Sequence, residues 1–329
     1  MPPANGHMPE VTVVIPTHNR WPLLSTTLAG ALAQEGVEHE VIVVDDGSAD
    51  ETAARLAEMN EPRLRTFRND RATGVAEARN RGIAAARGEW VAFLDDDDLW
   101  APRKLAEQLR AVSSPDTVLV YTAALVLDES MAVVEVLDAP EPDDLLRRIL
   151  PGNFIPAGAS NVMARTDAVR QVGGFDAAFS QFADWDLWIR LLQLGPAAAC
   201  AEPLLGYIQH PDSMLLTSGT GELRAEFDLM VERHRAVTER LGVGFDRAGF
   251  ERWVAWGAGR GGLRFRAGLG YLRAAVMYAR QRQREYSWNS FRDSVRAIRG
   301  ERLTDSGRRP GEGTPSADPD WLAAYRPGG

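Results

Sequence analysis

The first hundred residues alternate short runs of β-branched residues with stretches of helical periodicity, and this alternation restricts the possible fold more than any other feature of the sequence. The runs that predict strands are Val11–Ile15, Glu40–Val44, Leu64–Phe67 and Trp90–Leu94. Between them lie the helical stretches Trp21–Gln34, 50–59 and Val75–Ala86. Strands that alternate with helices of about 10–15 residues predict βαβ units. We therefore expect an α/β fold with a mostly parallel sheet that helices cover on both faces.

The pattern becomes less regular after Pro102. The spacing of apolar residues predicts helices at Leu105–Val112, Asp143–Ile149 and Asp184–Leu194, a strand at Val118–Ala123 and a hairpin within Leu125–Leu137. From Gly221 to about Gly300 the chain is helical and basic, with no further strand alternation. The segment from Asp305 onward has the composition of a mobile loop.

Composition excludes several classes of protein. The single cysteine, Cys200, cannot form an internal disulfide or a cysteine-based zinc site, and it fits a reducing compartment. No window contains the roughly 18 uncharged apolar residues of a membrane-spanning helix. The first ten residues contain no hydrophobic run, so we expect no signal peptide and a cytoplasmic location.

The charge of the chain is distributed unevenly. Residues 1–249 hold 22 Lys and Arg against 38 Asp and Glu, whereas residues 250–309 hold 14 Arg against 5 acids. The acidic part argues against a nucleic-acid-binding protein. The basic segment has two interpretations. It is either a helical extension that packs on the catalytic domain or a basic amphipathic surface that docks peripherally on anionic lipid at the inner membrane face.

Four consecutive aspartates, 95–98, end the strand Trp90–Leu94. On an extended chain alternate side chains share a face, so Asp95 and Asp97 are expected to point together. Two convergent carboxylates repel unless a cation lies between them, and Mg²⁺ or Mn²⁺ is the natural occupant. Asp98 has a simpler interpretation as the cap of the following helix.

Two other polar clusters, 16–19 and 45–48, also follow predicted strands. Ligands of parallel sheets bind beyond the carboxyl ends of the strands, so these clusters mark the expected binding edge. The helix predicted from Asp184 adds carboxylates at positions 184 and 186, which point in nearly opposite directions. Asp184 is the candidate general base, and Asp186 is spaced to pair with Arg190.

The motifs taken together resemble the family 2 inverting glycosyltransferases with a GT-A fold, a Rossmann-like sheet flanked by helices. Five stretches carry the resemblance, in the order of the family: VVIPTHNR (13–20), VIVVDDGSADET (41–52), GVAEARNRGIAAARGEWVAFLDDDD (74–98), VGGFD (172–176) and ADWDLWIRL (183–191). They span about residues 10–213. Each stretch alone is only modest evidence for the family, but the occurrence of all five in this order is highly specific.

The resemblance implies a role for each matching residue. It assigns nucleotide binding to Pro16, Thr17, Asn19, Asp46, Arg79, Asp95 and Asp96. Asp97 corresponds to the principal ligand of Mn²⁺ or Mg²⁺, assisted by Asp95 and His210. Asp184 corresponds to the catalytic base, and Gly173, Gly174 and Trp185 border the acceptor. Two positions depart from the family pattern: Ala183 replaces an acidic residue, and Ile208 replaces an arginine.

The resemblance over residues 10–213, together with the pattern and composition of the rest of the chain, predicts the domain organisation. We expect a disordered segment 1–9, a GT-A catalytic domain 10–215, a mainly helical basic region 216–304 and a flexible tail 305–329. Within the catalytic domain, residues 10–100 would bind the nucleotide sugar and residues 101–215 the acceptor.

The expected function is a metal-dependent inverting transfer from a nucleotide diphosphate sugar, of the UDP or dTDP type, to the hydroxyl of a glycan, a lipid-linked or a small-molecule acceptor. The alternative is a non-catalytic nucleotide-sugar-binding or scaffold partner of an active glycosyltransferase.

Overall fold

The computed structural model describes residues 8–209, 219–300 and 319–326 of the chain. Among these residues, the first unit contains 8–146, 154–208 and 319–326, and the second contains 147–153, 209 and 219–300. No helix within the described residues is both long enough and apolar enough to cross a membrane.

The first unit is built around one sheet. Its strands are β1 (Val11–Thr17), β2 (His39–Asp45), β3 (Leu64–Arg68), β4 (Trp90–Phe93), β5 (Leu99–Trp100), β6 (Leu119–Leu127), β7 (Val133–Leu137), β8 (Met163–Arg165) and β9 (Ala197–Ile208). The accompanying α-helices are α1 (Trp21–Leu32), α2 (Thr52–Glu58), α3 (Val75–Ala85), α4 (Lys104–Ala111), α5 (Leu145–Ile149), whose last three residues belong to the second unit, α6 (Thr166–Gln171) and α7 (Ala183–Leu191). Two 3₁₀ helices, Gly158–Asn161 and Asp320–Tyr325, complete it.

The strand order is β3-β2-β1-β4-β8-β6-β9-β5, and β7 pairs with β6. Strands β1 to β4 pair in parallel, as the sequence predicts. Every residue of β1, β2 and β4 is buried, which explains why these strands are nearly continuous apolar runs. Beyond β4 the sheet is mixed, because β8 pairs antiparallel with β4 and β6 whereas β9 pairs parallel with β6. The expectation of a mostly parallel sheet therefore holds for the first half only.

The second unit is helical, as predicted. Its longer helices are α8 (Thr220–Arg233), α9 (Arg235–Leu241), α10 (Arg247–Arg260), α11 (Arg264–Arg280) and α12 (Arg284–Arg299). The Asp246 carboxylate caps α10 by accepting from the Ala248 N–H at 3.1 Å. The rings of Phe227 and Phe250 stack with centroids 4.1 Å apart and join α8 to α10.

The sequence did not predict one strand and one short helix. The long strand β9 was not predicted, because Glu202 and Pro203 interrupt its apolar pattern. The segment 305–329 was expected to be a flexible tail, yet residues 320–325 form a 3₁₀ helix in which Leu322 is fully buried. The Tyr325 hydroxyl donates to the Trp100 carbonyl at 2.8 Å, which attaches this helix to the first unit.

Candidate active site

The three polar segments that follow β1, β2 and β4 meet at one edge of the sheet, as predicted from the sequence. The Asp46 N–H donates to the Thr17 carbonyl at 2.8 Å, and His18 Nδ1 lies 2.8 Å from the Asp46 carbonyl oxygen. Thr17 Oγ1 donates to Asp96 Oδ2 at 2.6 Å. These contacts connect the segments 16–19, 45–48 and 95–98 through hydrogen bonds.

Pro16 and Asn19 have different surroundings within this edge. Pro16 is buried in β1 opposite Val44. Asn19 is exposed and has a left-handed backbone (φ 56°). Its Oδ1 accepts from the Ala49 N–H at 2.6 Å, so its side chain holds the loop after β2. Nucleotide contact by these residues stays a prediction.

Asp46 organises the loop 69–74. Its carboxylate accepts from the Thr73 and Gly74 N–H groups at 2.9 and 2.8 Å, and from Asn69 Nδ2 at 2.6 Å. Although burial opposes the charge, these hydrogen bonds lower the pKa of Asp46 below its ordinary value. Asp46 is therefore an ionised carboxylate that fixes the loop before α3, and its contact with a base or ribose stays a prediction.

Asp95 and Asp97 are partly exposed, and each is paired with an arginine. Asp95 pairs with Arg79 of α3. Asp97 Oδ2 lies 3.0 Å from Arg20 Nη1. The side chains of Asp95 and Asp97 are 36% and 21% exposed, whereas Asp96 and Asp98 are buried. The alternation expected for this aspartate run is therefore present, although the segment forms a turn after β4.

The carboxylate oxygens of Asp95 and Asp97 are ligands of the kind that a hard divalent cation prefers. Mg²⁺ is commonly held by one or two carboxylates, with phosphate oxygens and water completing its coordination. The described residues contain no group of three or more His, Cys, Asp or Glu side chains able to hold a metal by themselves. The predicted third ligand, His210, lies outside the described residues.

Asp96 and Asp98 are the two buried carboxyls of the turn that follows β4. Burial raises the pKa of Asp96 to about 6, although the hydrogen bond from Thr17 and the charge of Arg20 oppose the shift. Burial also raises the pKa of Asp98 well above its usual range. The proposed helix cap at Asp98 was wrong, because α4 begins only at Lys104 and Asp98 accepts from the Ile208 N–H of β9 at 3.4 Å.

Asp184 is half-buried in the first turn of α7. Its Oδ1 accepts from the Trp185 N–H at 2.6 Å. Burial raises the pKa of Asp184 to about 6, a shift that the Trp185 hydrogen bond and the charge of Arg79 oppose and the charge of Asp95 reinforces. A carboxyl with a pKa near neutrality is suited to general acid–base chemistry.

Asp186 pairs with Arg190 as predicted. The carboxylate of Asp186 is fully buried and lies 2.6 Å from Arg190 Nη2. Arg190 also donates to the carbonyls of Val172 and Gly174, each at 2.7 Å. The pair therefore fixes the turn before Phe175 to helix α7.

The predicted acceptor residues lie in and around this turn. Gly173 and Gly174 both have a positive φ, 87° and 72°. The indole of Trp185 is buried, with its ring centroid 5.9 Å from that of Phe182. Contact of these three residues with an acceptor stays a prediction.

Sequence reasoning missed the partners of the predicted residues. Asn80 bridges α3 to the glycine turn, since its Nδ2 donates to the Phe175 carbonyl and its Oδ1 accepts from the Phe175 N–H, both at 2.8 Å. Ser160 Oγ accepts from the Asp95 N–H at 2.9 Å. Arg20, the partner of Asp97, lies within the motif at 13–20 but has no predicted role of its own. The only indication in the sequence that Asn80 belongs to the site is its position directly after Arg79.

Comparison with known proteins identifies the family to which the region containing the site at the sheet edge belongs. The sequence model for glycosyl transferase family 2 matches residues 12–172, which include all three polar segments at the sheet edge. Residues 12–172 form a glycosyl transferase family 2 domain. The resemblance to family 2 glycosyltransferases is thereby confirmed, although the matched region ends before Asp184.

Several named proteins resemble this family 2 chain. The succinoglycan biosynthesis protein ExoO of Rhizobium meliloti (strain 1021) is 34% identical over 223 residues, which cover 64% of this chain and 63% of ExoO. The chain therefore spans less than two thirds of that relative. The UDP-Glc:alpha-D-GlcNAc-diphosphoundecaprenol beta-1,3-glucosyltransferase WfgD of Escherichia coli is 26% identical over 183 residues, which cover 56% of this chain and 70% of WfgD.

A solved structure agrees with the fold of the family 2 chain. TarS 1–349 of S. aureus, in complex with UDP-GlcNAc, superposes with a TM-score of 0.57 at 17% identity. The superposition covers 89% of this chain and 92% of TarS 1–349. The likeness confirms the predicted GT-A fold class.

Proposed function

We propose that this chain is an inverting glycosyltransferase that moves a sugar from a nucleotide diphosphate sugar to a hydroxyl group of an acceptor. The observation that carries the proposal is the placement of two partly exposed carboxylates, Asp95 and Asp97, directly after strand β4. The third carboxyl, Asp184, is close enough to Asp95 and Arg79 for their charges to influence its pKa. Such an arrangement supplies groups for both the donor and the acceptor.

Asp184 is the proposed base. In its ionised form the carboxylate accepts the proton of the acceptor hydroxyl while that oxygen forms a bond to the anomeric carbon. The bond from the anomeric carbon to the diphosphate oxygen breaks in the same step, and its electron pair stays on the diphosphate. Because the hydroxyl attacks from the face opposite the diphosphate, the anomeric configuration inverts without a covalent enzyme intermediate.

The diphosphate leaves more readily when its developing negative charge is neutralised. Arg20 and Arg79 bring two guanidinium groups beside Asp97 and Asp95. Guanidinium groups bind phosphate oxygens through paired hydrogen bonds. Mn²⁺ or Mg²⁺ held by Asp95 and Asp97 would supply further Lewis-acid stabilisation of this charge.

The proposed donor is a UDP- or dTDP-sugar, and the proposed acceptor is a lipid-linked saccharide. The name of WfgD, which specifies UDP-Glc and GlcNAc-diphosphoundecaprenol, supports both choices. The complex of TarS with UDP-GlcNAc supports a uridine nucleotide.

A panel of nucleotide sugars tests the proposal. Thermal unfolding with Mn²⁺ should identify a sugar nucleotide that raises the melting temperature, and adding acceptors of the lipid-linked, glycan and small-molecule classes should then release nucleotide. Stabilisation without nucleotide release for any acceptor, and without slow donor hydrolysis, would instead indicate the non-catalytic nucleotide-sugar-binding protein. Release with soluble glycans alone would contradict the lipid-linked acceptor.

A further inference from the structure

The second unit exposes an unusual concentration of apolar side chains. Nine of the fourteen large apolar residues that are exposed among the described residues lie between Leu263 and Ile298, on or beside helices α11 and α12. Phe265 is 75% exposed and Trp288 is 63% exposed. Contiguous apolar surface of this kind marks an interaction site in a soluble protein.

On α11 these residues form one stripe. Phe265, Leu269, Leu272 and Val276 are spaced by four, three and four residues, which places them on one face of the helix. The opposite face carries Ala267, Tyr271, Ala274 and Tyr278, all of which are buried. Packing of α11 within its unit therefore uses the second face and leaves the first uncovered.

Helix α12 extends the same apolar surface. Trp288 and Phe291 are exposed, and their rings stack with centroids 5.8 Å apart. A groove of about 560 Å³ separates the two stripes, and its walls include Leu272, Val276 and both of these aromatic rings. We call the exposed faces of α11 and α12, with this groove, the apolar ridge.

Arginines lie beside the apolar residues of the ridge on both helices. Arg266, Arg273 and Arg280 recur every seven residues on α11 and lie beside its stripe. None of these three makes an ion pair within the part of the chain that the structure describes, and α11 contains no acidic residue. On α12 the exposed Arg292 and Arg299 lie close to Trp288 in helical projection.

We propose that the apolar ridge is a peripheral membrane-docking surface for a bilayer that contains anionic lipid. Apolar and aromatic side chains would insert at the boundary of headgroups and acyl chains, and the flanking guanidinium groups would bind lipid phosphates. The inference goes beyond the proposed function and uses none of the residues assigned to the donor or acceptor.

Charge complementarity favours lipid over a second copy of the chain. In a two-fold symmetric dimer formed through the ridges, the arginines of one copy would lie close to those of the other and repel them. The exposed faces of α11 and α12 offer only one acidic residue, Glu285, that could neutralise this positive charge. The acid Asp293 is buried and paired with Arg252 at 3.1 Å. An anionic surface instead attracts every arginine that borders the ridge.

Vesicle flotation of the full chain tests the inference. We expect binding to phosphatidylcholine vesicles that contain about 30 mol% phosphatidylglycerol at low salt, and weaker binding at about 0.5 M salt or to phosphatidylcholine alone. The double variants Phe265→Ser/Trp288→Ser and Arg266→Glu/Arg273→Glu should each bind about tenfold more weakly.

Matched controls separate the surface from general effects. Val134→Ser on β7 removes an exposed apolar side chain of the first unit, and Arg55→Glu on α2 reverses the charge of an exposed arginine there. Both variants should bind vesicles like the wild type. Thermal unfolding and nucleotide binding should be unchanged in all four variants, so failure of the donor-site proposal would be detected separately. Absence of wild-type binding at low salt, equal loss in the controls, or a ridge-dependent dimer in light scattering would overturn the inference.

Discussion

Arg20 Nη1 lies 3.0 Å from Asp97 Oδ2 and 3.3 Å from Asp96 Oδ1, so the predicted principal metal ligand already has a cationic partner from the protein itself. Arg79 forms the equivalent pair with Asp95. Two guanidinium groups of the protein itself thus contact this run of aspartates. The same pairing means that Arg20 and a divalent cation compete for Asp97.

This competition predicts that Arg20→Ala binds Mn²⁺ more tightly than the wild type. In the wild type, Mn²⁺ must displace a partly exposed ion pair that is worth about 1 kcal/mol. Without this pair, the dissociation constant for Mn²⁺ should be about fivefold lower. Electron paramagnetic resonance of free Mn²⁺, measured without nucleotide, reports this constant. Arg55→Ala is the control, and an unchanged or weaker affinity in Arg20→Ala would show that the two cations do not compete.

The buried pair of Asp186 and Arg190 predicts a stability effect with little loss of chemistry. Asp186→Asn leaves Arg190 without its carboxylate, and breaking a buried pair costs about 3–5 kcal/mol of unfolding free energy. Two hydrogen bonds from Arg190 to backbone carbonyls remain, so we expect a value near the lower limit. Urea denaturation measures the loss. A large fall in turnover of folded Asp186→Asn, with unchanged stability, would reverse the roles assigned to the two carboxylates of α7.

The glycine turn offers a matched pair of substitutions. Both glycines have a positive φ, so alanine at either position costs about 1 kcal/mol or more in backbone strain. Of the two positions, only Gly174 would bring the new Cβ against another group, Asn80 Oδ1. We expect Gly174→Ala to lower both the unfolding free energy and the acceptor kcat/KM more than Gly173→Ala. Equal effects of the two variants in both measurements would contradict the role of the Asn80 bridge.

The raised pKa of Asp184 predicts the acid limb of the pH profile. The base must be ionised, so turnover should fall about tenfold per pH unit below pH 6. Arg79 and Asp95 are the charged groups that influence this carboxyl, and neither changes the direction of the shift. An acid limb centred near pH 4 would contradict the assignment.

The same shift has a consequence for stability. Because the folded pKa lies above the ordinary value of 3.8, the stabilising contribution of Asp184 is complete below about pH 4 and is lost as the pH rises through about 6. Asp184→Asn should therefore unfold at a higher urea concentration than the wild type at pH 7, and this difference should shrink at pH 4.

The sequence was sufficient to predict the strand ends and the carboxylates that follow them. Parallel strands that are buried on both faces consist of nearly continuous apolar residues, which are easily recognised in a sequence. Strands β1, β2 and β4 are of this kind. Strand β9 could not be predicted, because its register with β6 is irregular and Glu202 is exposed within it. It pairs with the distant strand β6, and Trp321 Nε1 of the 3₁₀ helix at 320–325 donates to its Pro203 carbonyl at 3.3 Å.

In the site, residue types were predictable but their partners were not. Consecutive aspartates after a strand indicate a charged edge, and the spacing of Asp186 and Arg190 follows from helix geometry. The pairing of Arg20 with Asp97 joins residues 77 positions apart and depends on the order of strands in the sheet. No local pattern reports such a contact.

The rate of nucleotide release from the donor sugar nucleotide, with acceptor and Mn²⁺, tests the central division of roles between Asp97 and Asp184 most directly. Asp97→Asn, or excess EDTA with the wild type, should abolish release together with metal-dependent donor binding. Asp184→Asn should bind donor like the wild type but release nucleotide about 10²-fold more slowly, the usual scale for loss of a positioned base. Wild-type rates in excess EDTA, or an Asp184→Asn variant that turns over at the wild-type rate, would contradict the account.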